Sequence, residues 1–418
     1  MTLRRRTFVI GGHTTKFIGK GHPDFIWKRH PEFGVRENPT LEDYITTAVR
    51  GALNSTGTPA EFIDKAWIGN FVGELFSSQG HLGAALIGAD PKLMYKPSMR
   101  VEGACASGGL AFASAIESIQ AGADINLVVG AEVQTTESAR TGGDYLARAS
   151  HYRRQRSLDD FTFPCMFAMR AKAYREAYGV EESAIDSVAV KAYENANKNP
   201  LAHMQNAKMS MERAVASDRN PRFLGNQTYA PYMKVSDCSQ VSDGGSALIV
   251  VSEEGLAKLG KTPSDAIEVC SIAVATGNLY EDGNPLHMDT TQAAAQKAYT
   301  AAGFKPSEIQ VAEVHDCFTI TEVLMLEALG FADAGLGAQF HGEGHTSLDG
   351  RVPVNTGGGL VGFGHPVGAT GVKQVLEIYR QMKGQCGDYQ VRNTPEIGLT
   401  ANMGGNDKTA VVSVLRNA

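Results

Sequence analysis

The sequence predicts an α/β protein built from two similar βαβ-type halves. Three observations point there. Nearly continuous apolar runs such as Asn126–Gly130 and Ala247–Val251 read as strands covered on both faces, and they alternate with stretches of helical period. Segments of the first half recur in the same order in the second. At 418 residues the chain also exceeds one small core, so two or more domain-sized units are expected.

The elements follow in order. A basic start, Arg4-Arg5-Arg6, precedes Phe8-Val-Ile-Gly-Gly, an apolar run too short for a signal peptide and better read as a first strand. The helix Leu41–Asn54 leads to a strand ending near Gly69. Its mate is the helix Thr291–Ala302, leading to a strand ending near His315, with Ile63, Ala66 and Ile68 falling on Ile309, Ala312 and Val314. A glycine-bracketed helix from Gly109 to Gly122 echoes another from Gly371 to Gly384. The strands Ser246–Ser252 and Thr409–Leu415 form a third pair. The separation between mates shrinks for this last pair, so the first half carries an extra segment. This gives an N-terminal half of residues 1–262 with an insertion over about 133–235, and a C-terminal half of residues 263–418. Within the insertion, helices are expected over Met166–Tyr178, ended by Gly179, and around Glu182–Asn195.

Composition narrows the function classes. Hydrophobic residues make up 43% and charged residues 20%, as in ordinary globular proteins, and the net charge of −6 gives no case for nucleic acid or anionic membrane. No apolar run is long enough to span a bilayer. The six cysteines are scattered, without a C-x-x-C pair, so neither a zinc ribbon nor a disulfide framework is suggested and a reducing, cytoplasmic setting is expected.

Cys105 lies in Val101-Glu-Gly-Ala-Cys-Ala-Ser-Gly-Gly-Leu110, where small residues crowd a turn just before a helix. Free N–H groups and the helix dipole there favour a thiolate, and glycines leave room for a substrate; a buried structural cysteine is the alternative. His365 sits in the glycine-rich loop Asn355–Gly371, just before the helix that mates with the Cys105 helix. Pseudo-twofold pairing of those helices brings His365 to Cys105, the arrangement that activates a cysteine nucleophile. In Glu313-Val-His-Asp-Cys-Phe318, at the end of a repeat strand, His315 and Cys317 are two apart and face one side. Two such ligands alone do not make a metal site, and no neighbouring cluster in the sequence completes one. The glycines of Thr400–Asn406, just before the last strand, offer N–H groups to an oxyanion, or form a simple hairpin-like turn. His341-Gly-Glu-Gly-His345 resembles a metal cluster, but flanking glycines make it a flexible loop; no metal is expected. The run Arg153-Arg-Gln-Arg156 is either a solvated face or a contact to nucleotide phosphates. Cys165, Cys238, Cys270 and Cys386 have no polar constellation and read as packing residues.

Together these residues resemble the thiolases, and within them the sterol carrier protein type. Cys-Ala-Ser-Gly at Cys105 resembles the family's nucleophile motif, and Gly364-His-Pro-Val-Gly-Ala-Thr-Gly371 its histidine loop. Pro164-Cys-Met-Phe-Ala-Met-Arg170, continuing to Tyr174 and Tyr178, is similar to the loop domain that covers substrate and coenzyme A. His315-Asp-Cys-Phe318 is the subgroup mark. Ordinary thiolases carry a second reactive cysteine near the end, where this chain has Asn402. The lipid-transfer domain fused to some members is not expected after the final strand.

The resemblance implies a five-layered αβαβα sandwich with an inserted loop domain, and reversible thiolysis of a 3-ketoacyl-CoA. Cys105 would be the nucleophile, His365 its base and the helper that deprotonates coenzyme A, and Cys317 the acid that protonates the enolate. His315 would serve one oxyanion hole, and the backbone N–H groups of Cys105 and Gly404 the other. Met166, Phe167, Arg153, Arg154, Asn402 and Gly364 are the expected contacts to substrate or coenzyme A. Coenzyme A thioesters are substrates here, and no cofactor is implied. The expected assembly is a homodimer, with a tetramer or an added accessory subunit as the alternatives. The competing readings are a condensing or acyltransferase subunit of a complex, and a non-catalytic thiolase-like partner in lipid metabolism. A retro-aldolase branch is disfavoured because it places tyrosine where this chain has His315.

Overall fold

The computed structural model describes residues 3–418. Nine strands form one continuous sheet: β1 (Thr7–Thr14), β2 (Lys65–Gly69), β3 (Ser98–Val101), β4 (Ile125–Glu132), β5 (Gly244–Ser252), β6 (Ile267–Thr276), β7 (Val311–Val314), β8 (Ile397–Gly404) and β9 (Thr409–Asn417). The longer helices are α1 (Leu41–Thr56), α2 (Ser107–Gln120), α3 (Thr162–Tyr178), α4 (Glu182–Ala196), α5 (Asp289–Ala302), α6 (Thr319–Ala328) and α7 (Thr370–Met382).

The spatial strand order is β3-β2-β4-β5-β1-β6-β9-β8-β7, so the two halves run outward from β1 and β6 as mirror lists. In the first half β2 is parallel to β3 and β4, while β5 is antiparallel to β4 and β1. In the second, β7 is parallel to β8, and β9 is antiparallel to β8 and β6. A parallel bridge from Ala312 to Val354 takes the place that β3 has in the first half. The halves join edge to edge where Phe8 and Val9 meet Glu268 and Ile267. The repeat seen in the sequence is therefore a repeat of topology.

Helices complete the layers. α1 covers the outer face of the first half and α5 that of the second, while α2 and α7 pack on each other between the halves. α1 starts with a reciprocal cap between Thr40 and Asp43 and stops at Gly57 in the left-handed region. The α2–α7 contact requires glycine: a Cβ at Gly371 would stand 2.2 Å from the Gly109 nitrogen. Backbones this close bring the two helix N-termini together, and with them the loops carrying Cys105 and His365.

The chain between β4 and β5 carries α3 and α4. α3 begins at Thr162, a turn earlier than the apolar pattern suggests, because Pro164 fits within a first helical turn where its missing N–H costs nothing. α4 supports the glycine-rich loop: a Cβ at Gly362 would lie 2.3 Å from the carbonyl oxygen of Ala192. Residues 400–404 form the end of β8, which pairs with β9 through Gly404 and Thr409, and residues 405–408 make the hairpin turn between the two strands. Gly404 also leaves room for the Cys105 turn, since a Cβ on it would meet the Gly103 carbonyl oxygen at 2.0 Å.

Candidate active site

Cys105 stands in the turn between β3 and α2. The residue before it, Ala104, has φ of 52°, a left-handed conformation costly for a residue with a Cβ. Ser107 holds the turn: its Oγ accepts from the Gly103 N–H at 3.0 Å and donates to the Ala104 carbonyl at 2.6 Å. The sulfur receives a backbone N–H from Gly405. Burial pushes the Cys105 thiol up to about 12, against the helix N-terminus and the Gly405 N–H, which favour a thiolate.

His365 follows the helical turn Gly359–Phe363 and Gly364, whose φ is 113°. Its backbone is held by Gln134, whose side-chain amide donates to the His365 carbonyl at 3.1 Å, while Glu132 accepts from the Gly368 N–H at 3.1 Å. Nδ1 lies 2.7 Å from the Thr370 hydroxyl, which is also 3.2 Å from the Pro366 carbonyl. When the hydroxyl donates to that carbonyl it accepts from Nδ1–H, and Nε2 keeps its lone pair. Burial lowers the imidazole to about 3, so it is neutral at ordinary pH. Neutral thiol and neutral imidazole therefore face each other, and the proton moves only as negative charge leaves sulfur for a substrate oxygen.

His315 comes from the end of β7 and is fully buried. A ligand atom of each of Cys105, His315 and His365 lies within 4.8 Å of the others, and the two imidazoles meet edge to face with centroids 5.1 Å apart. The view that nothing completes a cluster around His315 is thereby corrected: its partners are distant in sequence. Cys317 is buried, its Sγ 3.7 Å from the Thr321 hydroxyl, and its thiol is held well above the usual range by burial first and by the nearby Cys105 sulfur second. The two sulfurs thus sense one another. Among the described residues, His341 and His345 form no such cluster: His341 bonds Thr346 at 2.9 Å and His345 pairs with Glu343 at 3.2 Å.

Asp316 links the His315 loop to the His365 loop by accepting from the Leu360 N–H at 2.7 Å. Phe318 stacks on Phe167 of α3, centroids 4.6 Å apart and planes 23° apart, which ties the inserted segment to the same loop. Phe167 is fully buried, so it braces the site instead of touching a coenzyme. Gly364 is also buried, and a Cβ there would strike the Ser242 hydroxyl at 2.5 Å; its role is conformational. Asn402 is buried with its amide committed to protein partners, which removes it as a coenzyme contact. Met166 and Arg154 do line a cavity of about 160 Å³, together with Arg170, Asp282 and Asn406. Arg154 already pairs with Asp282 and the Tyr280 carbonyl, and Arg153 is exposed. At the oxyanion position expected for Gly404, the N–H that reaches the sulfur is that of Gly405.

The thiolase N-terminal domain matches residues 30–254, and the thiolase C-terminal domain-like family matches residues 272–417. The chain belongs to the thiolase family. It is 35% identical over 378 residues to the acetyl-CoA acetyltransferase of Methanothermobacter thermautotrophicus, covering 90% of this chain and 94% of that protein. Sterol carrier protein 2 of Rattus norvegicus is 28% identical over 425 residues, 98% of this chain and 72% of that protein. Among solved structures, the Ltp2-ChsH2(DUF35) aldolase superposes with a TM-score of 0.77 at 21% identity, covering 99% of this chain and 98% of that one, which is a likeness of fold.

Within this thiolase fold, sequence reasoning missed Thr370, Asp316, Gly405 and Arg170. Thr370 had a signal, five residues after His365 and at the first turn of a helix. Arg170 had none. It is buried, donating to Asn406 Oδ1 at 2.6 Å and to the carbonyls of Pro285 and His287 at 3.0 and 2.9 Å, so it clamps the segment flanking the cavity.

Proposed function

We propose that this chain is an acyltransferase that cleaves and forms the carbon–carbon bond of 3-ketoacyl-CoA thioesters through an acyl-enzyme on Cys105. The observation that carries this is the convergence of Cys105, His365 and His315 within 4.8 Å, with His365 anchored at Nδ1 by the Thr370 hydroxyl.

In thiolysis, Cys105 sulfur attacks the 3-keto carbon while its proton passes to His365 Nε2. Backbone N–H groups at Cys105 and Gly404–Gly405 face the tetrahedral oxyanion. Cleavage between C2 and C3 leaves the acyl group on sulfur and an acetyl-CoA enolate, whose oxygen His315 stabilises. The Cys317 thiol protonates C2. Coenzyme A then attacks the acyl-enzyme. Because His365 still holds the first proton, the coenzyme's thiol proton restores Cys317, and His365 returns its own to the departing Cys105. Each oxyanion donor is worth about 3 kcal/mol of barrier. The cavity lined by Met166 and Arg154 is the place assigned to coenzyme A.

The coarser biology follows the chemistry. Thiolysis of 3-ketoacyl-CoA is the chain-shortening step of fatty acid β-oxidation, so lipid metabolism is the assigned process. All six cysteines are free, which supports a cytoplasmic setting, and among the described residues no helix is long and apolar enough to cross a membrane. β3 is an unpaired sheet edge with Met99 half-exposed and Tyr95 nearby almost fully exposed, so we assign a homodimer across that edge. An accessory subunit is a further arrangement, supported by the second chain named with the similar aldolase.

Incubation with acetyl-CoA and intact-mass measurement tests the reading. A gain of one acetyl group, absent in Cys105→Ala, is the expected result. No adduct, and no release of acetyl-CoA from acetoacetyl-CoA plus coenzyme A, would leave a non-catalytic thiolase-like partner. Cys317→Ala should still acetylate Cys105 but lose carbon–carbon cleavage.

A further inference from the structure

We infer that Asn402 is a positioning residue that fixes His315 in the tautomer carrying hydrogen on Nε2, so that this imidazole enters the site as a hydrogen-bond donor. The orientation of the Asn402 amide is set by backbone groups whose roles are fixed. Its Oδ1 must accept from the Gly109 N–H, 3.0 Å away, and its Nδ2 must donate to the Cys105 carbonyl, 3.1 Å away. The second Nδ2 hydrogen faces His315 Nδ1 at 3.2 Å. A group that can only donate obliges Nδ1 to accept, and a neutral imidazole with a lone pair on Nδ1 carries its hydrogen on Nε2. Burial and the neighbouring His365 keep His315 neutral.

Two further observations fit. Nε2 of His315 is fully buried and meets no hydrogen-bond partner among the described residues, so the donor is left free for a ligand atom. Space for the amide is also reserved: a Cβ at Gly371 would lie 2.4 Å, and one at Gly109 2.7 Å, from Asn402 Oδ1. The same tautomer separates the site from a metal centre, because a protonated Nε2 has no lone pair to coordinate with. His365, anchored at Nδ1 by Thr370, acts as a base only in the opposite tautomer. The proposed reaction thus uses one imidazole as acceptor and the other as donor.

The tautomer does not depend on the proposed reaction; its catalytic consequence does. Protein labelled with ¹⁵N-histidine, with His315 assigned through a His315→Gln variant, gives the tautomer by long-range proton–nitrogen correlation. The expected spectrum has Nε2 protonated and Nδ1 bare from pH 6 to 9; Nδ1 protonated in the wild type overturns the inference. Asn402→Asp presents an acceptor to Nδ1 and should flip the tautomer. Carbon–carbon cleavage should then fall by about 10²–10³ in kcat, as for loss of one oxyanion donor, and at least tenfold more than acetylation of Cys105 by acetyl-CoA. Equal losses in both reactions would mean a merely structural role. If this variant does not fold, the wild-type spectrum still decides. The expected tautomer in a protein that cleaves no 3-ketoacyl-CoA would sink the acyltransferase reading and leave this one standing.

Discussion

Thr370 Oγ1 lies 2.7 Å from His365 Nδ1, and the same hydroxyl spans back to the Pro366 carbonyl at 3.2 Å. One side chain at the start of α7 thus anchors the base at Nδ1. Thr370→Val keeps the shape and removes the hydroxyl. The imidazole then loses its anchor, and kcat for acyl transfer should fall roughly 10- to 100-fold, part of the 10²–10⁴ that a positioned base supplies. KM should stay nearly constant. Steady-state kinetics with acetoacetyl-CoA checks this, and an unchanged kcat would show that the bond does not orient the base.

The two reacting groups give opposite pH signatures. Burial holds the Cys105 thiol at about 12, so the thiolate fraction grows about tenfold per pH unit through the neutral and mildly alkaline range. Alkylation of Cys105 by iodoacetamide, followed by peptide mapping, should rise with that slope from pH 7 to 10 without a plateau. His365 is lowered to about 3, so the base is unprotonated at every pH in that interval. Acetylation of Cys105 by acetyl-CoA should therefore be nearly flat from pH 6 to 9. A plateau in alkylation near neutrality would mean a preformed thiolate–imidazolium pair.

The loop carrying His365 depends on a buried carboxyl. Gly359 has φ of 59°, and a Cβ there would stand 2.1 Å from Asp316 Oδ2. Gly359→Ala combines backbone strain of about 1–3 kcal/mol with that clash, and should lower stability by more than the strain alone. Asp316→Ala leaves the Leu360 N–H without its acceptor, at about 1–3 kcal/mol. Asp316→Asn keeps one acceptor oxygen and should cost less than Asp316→Ala. Urea titrations rank the three, and the ranking fails if Asp316→Asn matches Asp316→Ala.

The fold was legible because duplication writes it twice. Ala66 and Ala312 lie on equivalent strands, β2 and β7, and the helices after Cys105 and His365 are the pair at the centre. The nucleophile and base were legible because small residues and glycines surround them for steric reasons that act locally, and His315 because it ends a repeat strand. What the sequence hid were contacts with no local pattern. Asn402 meets Gly109 across 293 residues, and Arg170 meets Asn406 across 236. Burial of the thiol was hidden for a related reason: helix N-termini are visible in sequence, while burial is a property of the packed whole.

Beneath the site, the base of β7 carries a second dependence on long-range charge. Glu313, two residues before His315, is fully buried and accepts from Lys373 Nζ at 2.8 Å, with Lys373 itself buried on α7. Burial raises the Glu313 carboxyl above its usual range, and Lys373 opposes the rise. A carboxyl with a raised folded pKa binds more protons folded than unfolded, so stability falls as pH climbs from its unfolded value through its folded one. Lys373→Met removes the opposing cation and pushes the folded value higher. The variant should lose about 3–5 kcal/mol once Glu313 must ionise alone, and less where it can stay protonated. Urea titrations at pH 6 and pH 8.5 should show the gap from wild type widening at the higher pH. A gap independent of pH would mean that the cost of losing Lys373 is packing against Phe363, 4.5 Å from its nitrogen, and not charge.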